Sequence, residues 1–214
     1  MGLSLLPEWS ALSIFLLAAL AVGISPGPGM LYAVARGIGQ GSGAALVSVL
    51  GLSTGSFVNC VIAALGMSAV LAASTLAYDI VRYLGAAYLL YLAYRILRTP
   101  GEGIGAGRLR SEALGRIYAQ GIVTNIVNPK SALFYLSFVP QFIDPARGSA
   151  FMQFILLGLI FNIGGNTVNL LVALFFGRIG DWLSRHPRVW QYQRWFTASV
   201  LGALALHLAL STRR

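Results

Sequence analysis

The sequence is poor in charge and poorest in acid. Charged residues make up 10% of its 214 positions, and only Glu8, Asp79, Glu102, Glu112, Asp144 and Asp181 are acidic. Soluble domains carry about 25% charged residues. With 57% hydrophobic side chains and a mean hydropathy of +0.76, this chain reads as a membrane protein. So few carboxylates leave little material for paired-carboxylate hydrolysis or an acidic cage around a metal. A single cysteine, Cys60, excludes an internal disulfide framework, a CxxC redox pair and a multi-Cys zinc site. Without an HExxH element, a carboxylate pair at membrane depth or a Ser-His arrangement, the chain is not expected to be an enzyme or to need a cofactor or metal. The net charge of +9 does not indicate nucleic acid, because 14 arginines and one lysine lie scattered between apolar runs and form no patch or stripe.

What the sequence does have is length without charge. A membrane helix needs about 20 mostly apolar residues. Glu8 to Arg36 encloses 27 uncharged residues, Arg36 to Asp79 encloses 42, Arg147 to Arg178 encloses 30 and Arg194 to Arg213 encloses 18. Each gap is expected to hold one span, the second running from Ala44 to about Met67. A third span starts near Asp79 and continues through IVRYLGAAYLLYLAYRILR, where the terminal arginines snorkel and Tyr83, Tyr88, Tyr91 and Tyr94 supply amphipathic rings. The fourth runs from Ile117 to about Phe142. No Lys or Arg precedes the first span, which disfavours a cleaved signal peptide there. The expected fold is an all-α polytopic membrane protein of six transmembrane helices. Residues 1–98 form one three-helix repeat, 99–115 a cytoplasmic Gly-rich linker, and 116–214 a second repeat.

Orientation follows from the basic residues. The loops after the first, third and fifth spans hold ten arginines, the opposite side holds four, namely Arg82, Arg147, Arg213 and Arg214, and Lys130 belongs to neither. The positive-inside rule makes those three loops cytoplasmic and both termini periplasmic, although Arg213 and Arg214 pull the other way.

With three helices each, two related halves must be inverted in the membrane. Ser25-Pro26-Gly27-Pro28-Gly29 interrupts the first span and Asn128-Pro129-Lys130 the fourth, an offset of 103 between Pro26 and Pro129. GLSTGSFVN at Gly51 to Asn59 lies over GLIFNIGGN at Gly158 to Asn166 at an offset of 107. Proline removes a backbone donor and clashes with the preceding turn, so each interrupted span splits into half-helices. Paired breaks in inverted halves point to a secondary transporter with its site near the midplane. There, half-helix N-termini offer positive dipole ends to an anion. The simpler alternative is that these prolines only kink packed helices.

Lys130 is the main anomaly. An ammonium at a helix centre costs on the order of 2.5–3.5 kcal/mol, and at 1.5 Å per residue it lies about 20 Å from Arg116 or Asp144. Two readings stand: a fixed cation that holds a substrate carboxylate or titrates during the cycle, and a structural lysine capping carbonyls freed by the Pro129 break. Asn162, Asn166 and Asn169 share one face of the fifth span. Ser48, Gly51, Gly55 and Asn59 form a small-residue stripe on the second, with Ser56 beside it; close helix packing is the alternative for the glycines. His207 reads as a packed or interfacial side chain and Cys60 as a small core residue.

SPGPGMLYAVARGIGQGSGAALVSVLGLSTG, RYLGAAYLLYLAYRILR and GIVTNIVNPKSALFYLSFVPQFIDP resemble characteristic segments of the LysE/RhtB family of amino-acid exporters, in the lysine exporter superfamily. The resemblance covers nearly the whole chain. It implies a carrier of the bacterial inner membrane that exports amino acids or close derivatives, driven by the proton gradient. The family motifs fall on Pro26, Pro28, Asn128, Pro129 and Lys130. Similar members often carry Gly-Asp where this chain has Gly55-Ser56, and often a His where Asn59 stands. A buried acidic proton carrier is thus missing, which favours a neutral substrate. The expected partners are an amino acid, protons and the lipid bilayer, and a homo-oligomer is left open. The expected site comprises Pro26, Pro28, Ser56, Asn59, Asn128, Pro129, Lys130, Asn162 and Asn166. A passive channel or pore for small polar solutes is the alternative function.

Overall fold

The computed structural model describes residues 5–73, 75–98, 111–184 and 187–210. Residues 99–110 of the expected linker, Arg185, Arg213 and Arg214 lie outside the described residues, as do the side chains of Arg82, Arg178, Arg188 and His207. The helices are α1 (Trp9–Ile24), α2 (Pro28–Gln40), α3 (Ser42–Ala73), α4 (Thr75–Arg98), α5 (Leu114–Ile126), α6 (Pro129–Ser137), α7 (Ala150–Ser184) and α8 (Pro187–Leu210), with 3₁₀ turns at Val139–Phe142 and Pro145–Arg147. Among the described residues, all regular structure is helical.

Among the described residues, two helices are long and apolar enough to cross a bilayer unaided, α3 over Ser42–Gly66 and α7 over Ala150–Phe175, and α1 with α2 passes as a pair bent by 51° at its break. Helix α4 carries Asp79, Arg82, Arg95 and Arg98, α5 and α6 are 13 and 9 residues long, and α8 carries Arg188 and Arg194 near its start.

Both expected breaks are present, and their chemistry is local. Pro26 forces the preceding Ser25 into an extended conformation (φ −69°, ψ 124°), which ends α1. Pro28 then occupies the first position of α2, where a missing N–H costs nothing. In the second break α5 ends at Ile126, Asn128 is extended, and Pro129 starts α6 in the same way. Pro28 and Pro129, 101 residues apart, thus share the helix-opening position, and Pro26 stands before it. All three prolines are exposed. They shape the main chain and do not line an interior site.

Ion pairs at the two ends fix the relative direction of these broken helices. Arg147, beyond α6, pairs with Glu8, just before α1, at 2.6 Å. Arg36, near the end of α2, pairs with Glu112, just before α5, at 3.1 Å. Each end of one broken helix thus meets the opposite end of the other, so α1–α2 and α5–α6 run antiparallel. The packing is crossed as well. Helices α1 and α2 lie on α7, α5 and α6 lie on α3, α3 packs on α7, and α4 packs on α8.

Close approach sets the seam between α3 and α5. A Cβ at Gly51 would overlap the Tyr118 carbonyl, one at Gly55 would overlap the Ile122 carbonyl, and one at Gly121 would stand 2.8 Å from the Ser48 carbonyl. The small-residue stripe on α3 is a packing seam. Cys60 is fully buried against Gly158 in the core, as the sequence indicates. Gly55→Ala should therefore lower stability by about 1–3 kcal/mol through overpacking. Gly164→Ala, with nothing within 4 Å of the added methyl, should not. Thermal unfolding of the purified protein in detergent distinguishes the two, and equal melting temperatures would contradict the seam.

Candidate functional site

Between the two breaks lies a cleft with about 430 Å³ of empty space, part of it open to the outside. Val22 and Gly23 at the end of α1 line it, with Gly27 in the break and Gly29 and Met30 at the start of α2. Opposite them stand Asn125 at the end of α5, Asn128, and Lys130 and Ser131 at the start of α6. Ser56 of α3 and Phe161, Asn162, Gly165, Asn166 and Asn169 of α7 close the sides. Five of the nine expected site residues meet here: Ser56, Asn128, Lys130, Asn162 and Asn166. The three prolines and Asn59 do not.

Among the described residues, Lys130 is the one ionisable side chain in that lining. Its Nζ donates to the carbonyls of Val22 at 2.9 Å and Ser25 at 2.6 Å, at the end of α1. The last carbonyls of a helix have no intrahelical donors, so the ammonium replaces them. The lysine caps the opposite break instead of its own, because its long side chain reaches from the start of α6 to the end of α1. A Cβ at Gly27 would stand only 3.3 Å from Nζ, so glycine there gives the ammonium its place. Two of its three N–H donors are engaged by the α1 carbonyls.

The second break is capped differently. Nδ2 of Asn59 donates to the Asn125 carbonyl at 3.0 Å and the Ile126 carbonyl at 3.4 Å. Asn59, expected in the site, serves as the cap of α5 and stands behind the cleft. Oδ1 of Asn128 accepts the Lys130 backbone N–H at 3.0 Å and caps α6. Helix α2 has no such side-chain cap, since Gly27 occupies that position. Its first amides, at Gly29 and Met30, lie at the cleft without helical acceptors.

The remaining polar groups are largely engaged with one another. The Ser56 hydroxyl is 2.8 Å from the Tyr135 hydroxyl. Oδ1 of Asn162 accepts from the Ser53 hydroxyl at 2.9 Å and from Nδ2 of Asn166 at 2.6 Å, while Nδ2 of Asn162 donates to the Ser53 carbonyl at 3.0 Å. Nδ2 of Asn169 donates to Oδ1 of Asn166 at 3.4 Å. Asn125 differs: it is buried, and its Oδ1 has no hydrogen-bond partner. The sequence reading passed over this residue, although a polar side chain three positions before the Asn128 break is a visible signal. Beneath the cleft an aromatic floor is built from Phe161 stacked on Phe134 at 3.9 Å, with Phe15 and Phe138 behind. Among the described residues no group of three His, Cys, Asp or Glu side chains is placed to hold a metal.

The model of the LysE type translocator family matches residues 20–212. The chain belongs to this family. It is 30% identical to the homoserine/homoserine lactone efflux protein of Salmonella typhimurium over 169 residues, 79% of this chain and 82% of that one. It is also 30% identical to the leucine efflux protein of Salmonella choleraesuis over 146 residues, covering 67% and 68% of the two chains. An uncharacterized membrane protein of Vibrio cholerae is 29% identical over 174 residues, 81% and 82% of the chains. No solved structure matches. As a LysE type translocator with apolar helices of spanning length, this is a multi-pass membrane protein of a transporter family.

In this LysE type translocator, a second polar cluster lies at the α2–α5 end. Arg36, counted from sequence as a loop cation, sits within α2 and is 2% exposed. It pairs with Glu112, donates to Oε1 of Gln120 at 2.8 Å and to Oε1 of Gln40 at 2.8 Å, and lies 5.7 Å from the Tyr32 ring centre. Glu112 also meets Arg116 at 3.1 Å and accepts from Nε2 of Gln120 at 2.9 Å. The hydrogen bond from Arg36, with the nearby arginine charges, holds the Glu112 carboxyl below its ordinary value of 4.5. A depressed carboxyl stabilises the fold above its unfolded pKa and loses that contribution as pH falls through the folded value. Wild type should therefore melt above Glu112→Gln at pH 7, and the gap should close only below about pH 4.5. A gap independent of pH from 7 to 3 would show that ionisation of Glu112 adds nothing.

Proposed function

We propose that this chain is a secondary-active carrier of the bacterial inner membrane. It exports neutral amino acids or close derivatives by alternating access, coupled to the proton gradient. The observation that carries the reading is the cleft between two broken helices, with Lys130 as its one ionisable lining group. An ammonium beside the uncapped start of α2 is a favourable place for a carboxylate. With no acidic side chain in the lining, a cationic substrate side chain would meet no counter-charge. Relatives named for homoserine and leucine efflux fit a neutral cargo.

Six spans arranged as two inverted three-helix halves, 1–98 and 116–214 about the 99–115 linker, account for the antiparallel broken helices and the crossed packing of each on the middle helix of the other half. Such halves rock against each other around a fixed site. The ion pairs Glu8–Arg147 and Arg36–Glu112 stand at opposite ends of the cleft, where each would have to part in turn. The termini then face the periplasm.

Inside-out vesicles containing the protein should accumulate labelled homoserine or leucine in a saturable manner that an uncoupler abolishes. Non-saturating flux that ignores the proton gradient would replace the carrier with a passive pore, and no flux of any amino acid would end the reading. Lys130→Met should reduce export about ten- to hundredfold. That range corresponds to the roughly 1.5–3 kcal/mol of a hydrogen bond to a charged group. Lys130→Arg should retain more. Undiminished export by folded Lys130→Met would leave the lysine only its cap on α1.

A further inference from the structure

We infer that Oδ1 of Asn125 is the acceptor for the ammonium group of the exported amino acid. The inference rests on the amino-acid carrier reading above and names the residue that reads the amino group.

Three observations converge on this atom. Asn125 lines the cleft, is 5% exposed, and its Oδ1 has no hydrogen-bond partner. Buried amide oxygens are nearly always satisfied by protein or by a bound species, so an empty acceptor on a residue that lines a cleft marks a place for a donor. The Oδ1 atoms of Asn162, Asn166 and Asn128 each already accept an N–H, whereas Asn125 Oδ1 is buried and accepts none. Lys130 cannot satisfy it either, because its ammonium is drawn to the Val22 and Ser25 carbonyls.

The position of Asn125 is also fixed. Its own carbonyl accepts from Nδ2 of Asn59 and from the Asn128 backbone N–H, both at 3.0 Å. Gly55 brings α3 so close that a Cβ there would stand 3.0 Å from the Asn125 Cβ. The side chain is pressed between the α5–α6 break and α3. Asn125 and Lys130 therefore flank one break, an acceptor on one side and a cation on the other.

That pairing suits a zwitterion. The carboxylate meets Lys130 and the first amides of α2, and the ammonium meets a neutral oxygen. A carboxylate at position 125 would add a negative charge to a lining whose ionisable group is Lys130 and so weaken the anion site; an amide oxygen accepts the ammonium without doing so. Selectivity for the amine then comes from an acceptor left unpaired when an analogue lacks the group.

The test is competition against labelled leucine or homoserine transport in inside-out vesicles. Leucine is compared with 4-methylpentanoate, and homoserine with 4-hydroxybutanoate, pairs that differ by the amino group. Wild type should prefer the amino acid over its des-amino analogue by about tenfold or more, the size expected of one charge-assisted hydrogen bond. Asn125→Leu should bring that ratio close to one while the des-amino acids compete as before. Asn125→Asp should keep a preference for the amine but weaken competition by the des-amino acids, whose carboxylate it repels. If Asn125→Leu does not yield folded protein, Asn125→Ala and Asn125→Asp are read by the same ratio. A wild-type ratio in Asn125→Leu or Asn125→Ala overturns the assignment. Absence of amino-acid transport by the wild type instead overturns the carrier reading, and the assignment falls with it.

Discussion

An unwound stretch of backbone inside a bilayer must find partners, because lipid offers none. Two stretches here, Ser25–Gly27 and Val127–Asn128, face that demand, and both are met from another helix. Lys130 of α6 holds the open end of α1, and Asn59 of α3 holds the open end of α5. The crossed packing of the two broken helices on α3 and α7 follows, since a cap supplied in trans needs its donor helix alongside. The cleft is the space left where the two capped ends meet.

The polar lining of that cleft is not uniform. On the α7 side the asparagines satisfy one another and Ser53 in a closed chain, which makes a rigid wall. On the α5–α6 side one acceptor is open and one cation is shared. An unsatisfied buried amide oxygen costs about 1–3 kcal/mol, so this side is held in a less comfortable state than the other. The stiffness of the α3–α5 seam, where main chains touch through Gly51, Gly55 and Gly121, is what keeps it there.

The main features of this arrangement were legible in the sequence to the extent that they depend on local chemistry. Proline beside glycine or asparagine announces a break wherever it falls in an apolar run, and Asn162, Asn166 and Asn169 share a face by helical spacing alone. What the sequence could not disclose is which end a long side chain reaches. Lys130 bonds the carbonyls of a helix more than a hundred residues away, and Asn59 stands behind the cleft instead of in it. Arg36 looked like a loop cation because no acidic residue lies near it in sequence; Glu112 and Gln120 arrive only through the antiparallel docking of α2 and α5. Nor could the sequence disclose which proline opens α2: the helix begins at Pro28.

The two ion pairs that fasten the ends of the broken helices differ in their access to water. In the Arg36–Glu112 pair the side chains are 3% and 24% exposed, and in Arg147–Glu8 they are 31% and 72% exposed. Counter-ions reach the second and scarcely the first, so mobile salt, whose screening length is about 8 Å at physiological strength, acts on the molecule from one side only. Raising ionic strength softens the Glu8 end while leaving the Arg36 end latched. The bundle has, in mechanical terms, one clasp open to the salt of the medium and one largely shielded from it.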